Sequence, residues 1–578
     1  MKTFGSLVLI ALTAAWMFGC GSFSANAPPQ DWVEQTLGQM TLEEKIGQLL
    51  FPGVSAAAAN QEGEVFQKVQ EHIQKYHVCG YHIDGSSQAT PASVASLITR
   101  MQQLARVPLL ITGDFEGGVG YQFPGATRFP RAMAIGATGN PQYAYEAADF
   151  TAQEAKAVGA SVNFYPVVDV NNNALNPIIN IRSFGEDAKN VSEFGAAYVR
   201  GIQDGGLVAT AKHFPGHGDT SVDSHLQLPV LDVDRARLDA VELPPFVATI
   251  NVGVKAVMVG HISVPQIDRT PGLPASLSPT ITTGLLRQEL GFRGLVFTDA
   301  LVMGAIVENF GAEQAVVMAI QAGADVALIP SDVPKAFEAL QAAVSQGEIT
   351  EQRLDESVRR LLAAKADVGL NLRRTPDLDQ VERLVGSPAA REKSQEIMEH
   401  ALTLVKDDNN SLPLNLPPDE EVLLVNFLDA GGAYADTPGG AFRAEFLKHH
   451  DNTLLADVPP STTASEADVI RQLALGYRTV VVSCSIRVAA YSGVIGLTDV
   501  QQDLLRSLAQ HDGPFVFALF GSPYLLNSIP ELPGYALAFE FYQGAEEAMV
   551  RAIFGEVRFQ GKLPTTVGSF PVGFGLEK

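Results

Sequence analysis

The hydrophobic pattern of the first 370 residues consists of short apolar runs separated by amphipathic stretches of helical period. Eight such runs lie between residues 31 and 370, at 48–51, 80–83, 108–112, 160–164, 207–211, 255–259, 294–298 and 325–329. Strand-like runs that alternate with helices are typical of parallel β-α units. Eight units over about 340 residues predict a (β/α)8 barrel of the TIM type. We therefore expect residues 30–370 to form one α/β domain.

A second, shorter α/β pattern follows the barrel pattern. Its strand-like runs lie at 422–427, 479–486, 515–520 and 535–541, and residues 499–509 have a helical period. Between the two patterns, the segment 371–395 contains Pro376, Gly386 and Pro388. Such residues interrupt regular structure, so 371–395 is predicted to be a linker and 396–578 a smaller α/β sandwich domain.

The N-terminus has the pattern of a targeting segment. Lys2 precedes an apolar run at 4–18, which is too short for a comfortable membrane span but has the length of a signal sequence. Gly19 and Cys20 follow this run and resemble a bacterial lipoprotein processing site. Residues 1–29 are therefore predicted to be a signal segment and tether, with a lipid anchor at Cys20 and a periplasmic or cell-surface location.

Composition and charge add two constraints. Of the 578 residues, 46% are hydrophobic and 18% are charged, which is typical of a folded globular protein. The 64 acidic residues outnumber the 40 basic ones and give a formal net charge of -24. A surface of this sign repels phosphate backbones, so nucleic acid is not an expected partner.

Ionisable residues follow several of the predicted barrel strands. They are His82 and Asp84, Asp114 and Glu116, Asp169, Lys212 and His213, His261, and Asp299. The carboxyl ends of parallel barrel strands converge on one mouth, where (β/α)8 enzymes hold their active sites. The sequence therefore predicts an active site that is assembled at this mouth from distant segments.

The densest group of such residues lies at 212–225, where fourteen residues include three His, two Asp and one Lys. A proline and two glycines within this segment exclude a regular helix, so a structured loop is predicted. A metal site formed by His213, His217 and Asp219 is the competing interpretation. Histidines spaced four apart bind a metal together when they lie on a helix, so we expect neither a metal nor another cofactor.

The segment 212–219, together with Asp223, Ser224 and His225, resembles the signature of glycoside hydrolase family 3 in its bacterial β-N-acetylglucosaminidase branch. Further matches to this family lie at 114–118, 163–169, 182–185, 294–301, 410–414 and 561–564. These matches extend over nearly the whole chain. The resemblance implies a carbohydrate substrate and a second domain like that of the family.

The resemblance also implies a retaining glycosidase with Asp299 as its nucleophile. A glycosidic bond breaks through an oxocarbenium-like transition state, which a carboxylate can trap as a covalent intermediate. In this branch the acid/base is a loop His held by an Asp, which matches His225 and Asp223. An imidazole titrates near neutral pH, so it can both give and take a proton.

Four further residues match positions of the family that contact the sugar, and two more lie in the loop. Those that would hydrogen-bond sugar hydroxyls are Asp114, Arg182, Lys212 and His213. His217 and Asp219 are interpreted as residues that order the loop by hydrogen bonds. Charged partners strengthen hydrogen bonds to hydroxyl groups, so these residue types suit a sugar-binding pocket.

Two regions depart from the family pattern. Val119 and Gln122 stand where the branch usually has Arg after the Asp-x-Glu-Gly-Gly segment. We expect the sugar contact of that Arg to be lost or replaced. His82 and Asp84 follow the second predicted strand, where a different loop is usual, and this points to a changed subsite.

The leading hypothesis is an exo-acting β-N-acetylglucosaminidase that removes terminal N-acetylglucosamine from cell-wall or chitin-type oligosaccharides. Three alternatives stay open. A β-glucosidase or β-xylosidase of the same family would take a Glu acid/base from the second domain, for which Glu540 and Glu546 are candidates. A phosphorylase would transfer the sugar to phosphate, and a glycan-binding lipoprotein would bind without turnover.

Overall fold

The computed structural model describes residues 30–59, 63–428, 438–487 and 496–578 and contains two α/β regions. The predicted export segment, residues 1–29 with Cys20, lies outside the described residues. Within the described ranges, no helix has both the length and the apolar character that a membrane crossing requires.

The first region is built from short parallel strands. They are β1 (Leu50–Phe51), β2 (Gly53–Ser55), β3 (Gly80–Asp84), β4 (Leu110–Gly113), β5 (Val162–Asn163), β6 (Val208–Phe214), β7 (Ala256–Val259), β8 (Leu295–Thr298) and β9 (Ala327–Leu328). Strands β2 to β8 pair in chain order, and every pair is parallel.

These strands form a closed ring. β1 pairs with β9, and Phe297 of β8 bridges to Val326, which precedes β9. Only Pro52 separates β1 from β2, so the two form one interrupted strand and the ring has eight strand positions. The predicted (β/α)8 barrel is confirmed, and each of the eight predicted runs overlaps one of its strands.

Helices surround the barrel strands. They are α1 (Gln30–Gly38), α2 (Leu42–Gly47), α3 (Ala56–Ala59), α4 (Glu64–Gln74), α5 (Pro91–Leu104), α6 (Ala132–Ala137), α7 (Pro141–Val158), α8 (Ala188–Asp204), α9 (Arg235–Arg237), α10 (Leu243–Asn251), α11 (Gly304–Phe310), α12 (Ala312–Ala322), α13 (Val333–Ser345) and α14 (Glu351–Asp367). Inside the barrel, the rings of Phe51, Phe164 and Phe297 pack with their centroids 5.2 to 6.3 Å apart. The interior is therefore filled, and a ligand is confined to the mouth.

The second region contains a six-stranded sheet and helices that follow its strands. The elements are β10 (Thr403–Asp407), β11 (Val422–Phe427), α17 (Gly440–His449), β12 (Thr453–Val458), α18 (Ala464–Ala474), β13 (Thr479–Ile486), α19 (Asp499–Leu508), β14 (Phe515–Gly521), β15 (Gly534–Leu537) and α20 (Gln543–Ile553). The strand order is β10-β15-β14-β13-β11-β12, with β10 antiparallel to β15 and the other pairs parallel. The four predicted runs are β11, β13, β14 and β15. The hydrophobic pattern missed β10 and the edge strand β12, because β12 is largely exposed and lacks a continuous apolar run.

The segment 371–395, predicted to be a linker, is largely helical. It contains α15 (Leu378–Leu384) and the first half of α16 (Pro388–Ala401). Ser387 caps α16 with its side chain, and Pro388 occupies the first position of the helix. Proline is favoured at this position, so here it marks the start of a helix rather than a break in structure. α16 packs against α6, α7 and α20 and so lies between the two regions.

The two regions share a buried interface. Met133, Ala134 and Ala137 of α6 pack into the hydrophobic core of the second region. Beside them, Arg131 donates two hydrogen bonds to the carboxylate of Glu540, at 2.9 and 3.0 Å, and both side chains are at most 3% exposed. Burial alone would raise the pKa of the Glu540 carboxyl, but the Arg131 guanidinium lowers it. The interface therefore contains an ionised pair that is shielded from water.

We expect Arg131→Met to destabilise the protein by about 3–5 kcal/mol, because it leaves the Glu540 carboxylate buried without its cation. Urea unfolding followed by circular dichroism measures the change. Arg551→Met is the matched control, since Arg551 pairs with Glu399 at a partly exposed position and its loss should cost about 1 kcal/mol or less. Equal unfolding midpoints for the two variants would contradict this prediction.

Candidate active site

Four charged side chains link neighbouring strand ends at the barrel mouth. The Lys212 ammonium donates to Asp114 Oδ1 at 2.7 Å and lies 3.0 Å from Glu116 Oε1. The Arg182 guanidinium donates to both carboxylate oxygens of Glu116, at 2.7 and 2.8 Å. Two positive and two negative charges therefore compensate one another in a site with little access to water.

These ion pairs keep the groups in their charged forms. Burial opposes the charge on Glu116, but Arg182 and Lys212 keep the pKa of its carboxyl well below its usual range. Asp114 and Glu116 in turn raise the pKa of Lys212 against the effect of burial. Asp114 is the most accessible of the four, with 37% of its side chain exposed. The mouth thus offers fixed charged groups to a ligand with many hydroxyls.

Asp169, which follows β5, fixes the start of the loop after β6. Its buried carboxylate accepts a hydrogen bond from His213 Nδ1 at 2.8 Å and from the backbone N–H of His217 at 2.7 Å. Burial would raise the pKa of the Asp169 carboxyl, but His213 and His217 lower it. Since Nδ1 of His213 donates to Asp169, Nε2 is the nitrogen that is left for a ligand.

Hydrogen bonds order the loop 215–226. His217 Nδ1 lies 2.7 Å from Thr220 Oγ1, and its Nε2 lies 3.2 Å from Ser224 Oγ. The side-chain amide of Asn176 donates to the carbonyl oxygen of His217 at 2.8 Å and to that of the next residue at 3.0 Å. Burial lowers the pKa of His217 to about 4, so its ring is neutral at pH 7. His217 therefore makes the contacts of a loop-ordering residue.

The three residues considered for a metal site do not converge. Asp219 pairs with Arg237 at 3.0 Å, which attaches the loop to α9. His213 and His217 engage other partners, and their rings stand 5.9 Å apart at the centroids. Over the described parts of the chain, no three His, Cys, Asp or Glu side chains are arranged to hold a metal ion.

His225 and Asp223 form a hydrogen-bonded pair on the same loop. His225 Nδ1 lies 2.7 Å from Asp223 Oδ1, and the backbone N–H of His225 donates to the same oxygen at 2.9 Å. The Asp223 side chain is 2% exposed and the imidazole 24% exposed. An ionised carboxylate only accepts hydrogen bonds, so Nδ1 carries a proton and Nε2 is the nitrogen that can exchange one at the mouth.

Asp299, which follows β8, is held through its backbone and its side chain. Its N–H donates to the carbonyl of Val259 at 2.9 Å, and its Oδ1 accepts from the N–H of Ala300 at 2.8 Å. His261, after β7, lies with Nε2 3.0 Å from the carbonyl oxygen of Ala300. A carbonyl only accepts, so Nε2 of His261 is protonated and fixes the peptide next to Asp299.

Asp299 and the loop of His225 occupy the same side of the mouth. Burial alone would raise the pKa of the Asp299 carboxyl. The imidazoles of His261, His213 and His225 instead lower it below its usual range, so the group is ionised at neutral pH. The two loops also approach closely, since a β-carbon built on Gly304 would lie 3.1 Å from the carbonyl oxygen of His225. An ionised carboxylate and a His-Asp pair therefore share one site.

Two buried carboxylates, those of Glu116 and Asp169, make contacts in the site that the sequence did not predict. The sequence identifies Glu116 as a residue that follows a strand and suggests that Asp169 supports neighbouring strand ends. Both lie in family-like segments, 114–118 and 163–169, and this was the signal that could have found them. The sequence did not show which residues pair with them, because each carboxylate binds side chains from a distant segment.

The two glutamates offered as an alternative acid/base are engaged elsewhere. Glu540 is bound to Arg131 in the domain interface. Glu546 accepts hydrogen bonds from the backbone N–H groups of Gly439 and Phe442, at 2.9 and 2.8 Å, at the start of α17. Both side chains are buried, so their positions disfavour a role in proton transfer at the barrel mouth.

Comparison with protein families identifies this arrangement. Residues 41–364, more than half of the chain, match the N-terminal domain of glycosyl hydrolase family 3. The chain belongs to this family. The predicted enzyme class, a glycoside hydrolase, and the predicted family are both confirmed.

Similar proteins cover both regions of the chain. A β-N-acetylglucosaminidase/β-glucosidase of Cellulomonas fimi is 32% identical over an alignment of 580 positions that covers 96% of this chain and 98% of that protein. The structure of a family 3 β-N-acetylglucosaminidase from Paenibacillus sp. FPU-7 is 34% identical, with a TM-score of 0.82, and covers 91% of this chain and 99% of that one. The β-glucoside phosphorylase BglX is 25% identical, with a TM-score of 0.82, over 93% of this chain and 96% of that one. The fold is therefore common to hydrolases and a phosphorylase.

The buried imidazole of His217 makes the stability of the protein depend on pH. Between pH 6.5 and about 4 the unfolded chain binds a proton at His217 that the folded chain does not, so stability falls as the pH is lowered through this window. We expect the stability advantage of the wild type over His217→Gln to shrink by up to about 3 kcal/mol between pH 7 and pH 4. Urea unfolding at a series of pH values measures this difference.

Thr220→Val is the control for this prediction, because it removes a partner of the imidazole but keeps the titrating group. Its stability should fall with decreasing pH as steeply as that of the wild type. Parallel stability profiles for the wild type and His217→Gln would mean that this histidine is not responsible.

Proposed function

We propose that this enzyme releases terminal β-linked N-acetylglucosamine by a retaining mechanism, with Asp299 as nucleophile and the Asp223–His225 pair as acid/base. The observation that carries the proposal is the placement of the Asp299 carboxylate, after β8, beside the loop that holds the hydrogen-bonded His225–Asp223 pair. A retaining glycosidase needs a nucleophile and a proton-transfer group close together at one bond. The acetamido sugar is supported by the similarity to β-N-acetylglucosaminidases over almost the whole chain.

In the first step, Asp299 forms a bond to the anomeric carbon as the glycosidic oxygen leaves. Oδ1 of Asp299 is held by the N–H of Ala300, so Oδ2 is the attacking oxygen. His225 donates its Nε2 proton to the leaving oxygen, and the resulting neutral imidazole stays bound to Asp223 through Nδ1. The products of this step are the free aglycone alcohol and a glycosyl ester of Asp299.

In the second step, water replaces the aspartate. The neutral His225 takes a proton from water as the water oxygen attacks the anomeric carbon, and the ester bond to Asp299 breaks. The carboxylate and the protonated imidazole are restored. The negative charge of Asp223 stabilises the imidazolium in both directions and keeps the ring oriented.

The charged network on the opposite side of the mouth is the proposed sugar-binding surface. Asp114, Arg182, Lys212 and His213 supply acceptors and donors to the sugar hydroxyls. Their mutual ion pairs fix them before the substrate arrives, so binding requires little rearrangement. A site of this kind rejects sugars that lack a hydroxyl, because a buried polar group is then left without a partner.

The natural substrate and location are also proposals. An export segment at 1–29 with a lipid anchor at Cys20 would place the enzyme in the periplasm or at the cell surface. Cell-wall or chitin-type oligosaccharides would be encountered there, and an exo-acting enzyme would shorten them from the non-reducing end.

Phosphorolysis is a second candidate reaction. The base that His225 provides is neutral in the second step, and a neutral base tolerates an incoming phosphate better than a carboxylate does. The similarity to the β-glucoside phosphorylase BglX supports phosphorolysis specifically. Phosphate would then take the place of water and yield a sugar 1-phosphate.

Substitution of the catalytic groups tests the main proposal. We expect Asp299→Ala to lower kcat/KM for nitrophenyl β-N-acetylglucosaminide by roughly 10⁴-fold or more, because the covalent step is lost. His225→Ala should lower it by roughly 10²–10⁴-fold for natural oligosaccharides and by less for nitrophenyl glycosides, whose leaving group needs little protonation. Azide should rescue His225→Ala and give a β-glycosyl azide.

His449→Ala is the control for these variants, because His449 lies on α17 and pairs with Glu556 away from the mouth. It should retain wild-type kinetics. If nitrophenyl β-glucoside is cleaved faster than the acetamido sugar, and His225→Ala is as active as the wild type, the assignment to β-N-acetylglucosaminidase chemistry is wrong.

A phosphate titration separates hydrolysis from phosphorolysis. A hydrolase should release free N-acetylglucosamine at a rate that phosphate does not increase. A phosphorylase should produce N-acetylglucosamine 1-phosphate in proportion to added phosphate, which phosphorus NMR detects directly. The dominant product at physiological phosphate concentration decides between the two reactions.

A further inference from the structure

A cluster of polar groups beside the charged network has no part in the mechanism above. It consists of His82 and Asp84 of β3 and Gln122, and it adjoins Asp114. His82 Nε2 lies 3.0 Å from Asp84 Oδ1 and 3.7 Å from Asp114 Oδ2. The Asp84 side chain is 62% exposed, whereas that of His82 is 5% exposed. An accessible carboxylate is therefore backed by a buried imidazole at the edge of the proposed pocket.

Hydrogen bonds and ring stacking fix the imidazole of His82. Its Nδ1 lies 3.1 Å from Thr112 Oγ1 of β4, and its ring stacks on Phe164 at 5.6 Å with an interplanar angle of 14°. Burial alone would lower the pKa of His82, but Asp84 and Asp114 raise it, against a smaller opposing effect of Lys212. His82 is thus a rigidly held partner that hydrogen-bonds Asp84 and lies within ion-pair distance of Asp114.

Gln122 ties the loop after β3 to the loop after β4. Its Oε1 accepts from the N–H of Gly85 at 2.8 Å, and its Nε2 donates to the carbonyl of Asp114 at 3.0 Å. A β-carbon at Gly85 would lie only 2.3 Å from the Gln122 carbonyl oxygen, so the two loops are in direct backbone contact. Both ends of the Gln122 side-chain amide thus bind backbone groups of the protein. The residue therefore holds Asp84 close to Asp114.

The ring order determines which part of the sugar this cluster faces. In an eight-membered ring of strands, β4 lies opposite β8 and β3 lies opposite β7. Asp299 follows β8, so Asp114, which follows β4, lies across the mouth from the nucleophile, and Asp84 at the end of the adjacent β3 lies on the other side of His82 from Asp114. In a pyranose ring, C4 is the atom opposite C1. A sugar whose C1 meets Asp299 therefore directs its C4 substituent toward Asp84 and Asp114.

We propose that Asp84, oriented by His82 and by the Gln122 tether, is a specificity residue that selects the configuration of the hydroxyl at C4 of the terminal sugar. This inference rests on the proposed function. An equatorial C4 hydroxyl, as in N-acetylglucosamine, extends toward the cluster and donates a hydrogen bond to the carboxylate. The axial hydroxyl of N-acetylgalactosamine points out of the ring plane, so the carboxylate loses that partner when the pocket is occupied.

The test compares nitrophenyl β-N-acetylglucosaminide with its C4 epimer, nitrophenyl β-N-acetylgalactosaminide. We expect Asp84→Ala to lower the ratio of kcat/KM values for the two substrates by about 10-fold, mainly through KM for the glucosaminide. Asp84→Asn keeps an acceptor oxygen and should lose less. Gln122→Ala should change the ratio in the same direction, because it releases the loop that positions Asp84.

Gln88→Ala is the matched control, since Gln88 is exposed on the same loop and has no contact with the cluster among those described. It should keep the wild-type ratio. Thermal unfolding midpoints of all variants, compared with the wild type, separate loss of selectivity from loss of fold. A purely structural role would lower the midpoint or slow both substrates equally and would leave the ratio unchanged.

The outcomes distinguish this inference from the proposed function. If the wild type cleaves the glucosaminide and Asp84→Ala and Asp84→Asn both keep its selectivity, the role of Asp84 is refuted and the proposed function stands. If the wild type cleaves neither acetamido sugar, the proposed function itself fails. A ratio that falls in both Asp84 variants and in Gln122→Ala, but not in Gln88→Ala, supports the assignment.

Discussion

The active site depends on the mutual neutralisation of four charges, those of Lys212, Asp114, Glu116 and Arg182. Each would be costly to bury alone, and each is retained because its neighbours compensate it. The same contacts join the ends of β4 and β6 to the segment before α8, so the network that we propose to bind the sugar also fixes the shape of the mouth. The aromatic packing below it fills the barrel and leaves the mouth as the place for substrate.

The described part of the second region supports the candidate site through contacts with the barrel. Asn171 donates to Tyr524 Oη at 2.7 Å, and Tyr524 lies 2.9 Å from Thr565 Oγ1. Thr565 donates to Glu186 at 2.9 Å. These contacts hold both ends of the barrel segment that carries Arg182. Glu540 is engaged in the interface and Glu546 in the cap of α17. The described part of the second region therefore acts as a brace for the side of the mouth that holds Arg182.

Those features of the site that involve residues close together in the sequence could be predicted from the sequence. The pairing of His225 with Asp223 follows from their spacing in a loop, and the position of Asp299 follows from the end of a strand-like run. The partners of Glu116, Asp169 and His261 did not follow from local sequence, because those hydrogen bonds connect segments that are far apart in the chain. The helices within the predicted linker 371–395 did not follow from the sequence either, since proline marks both helix starts and chain breaks.

The sequence by itself determined the eight-unit barrel, the central strands of the second sheet and the family of the enzyme. Buried strands are continuous apolar runs in the sequence, and the residues of the proposed catalytic loop lie close together within 212–225. Tertiary structure alone decided which charges neutralise one another, how the two regions pack through α6, and that Asp114 lies across the mouth from Asp299. These are relations between distant segments, and they are fixed only when the ring of strands closes and brings the ends of its strands to one face.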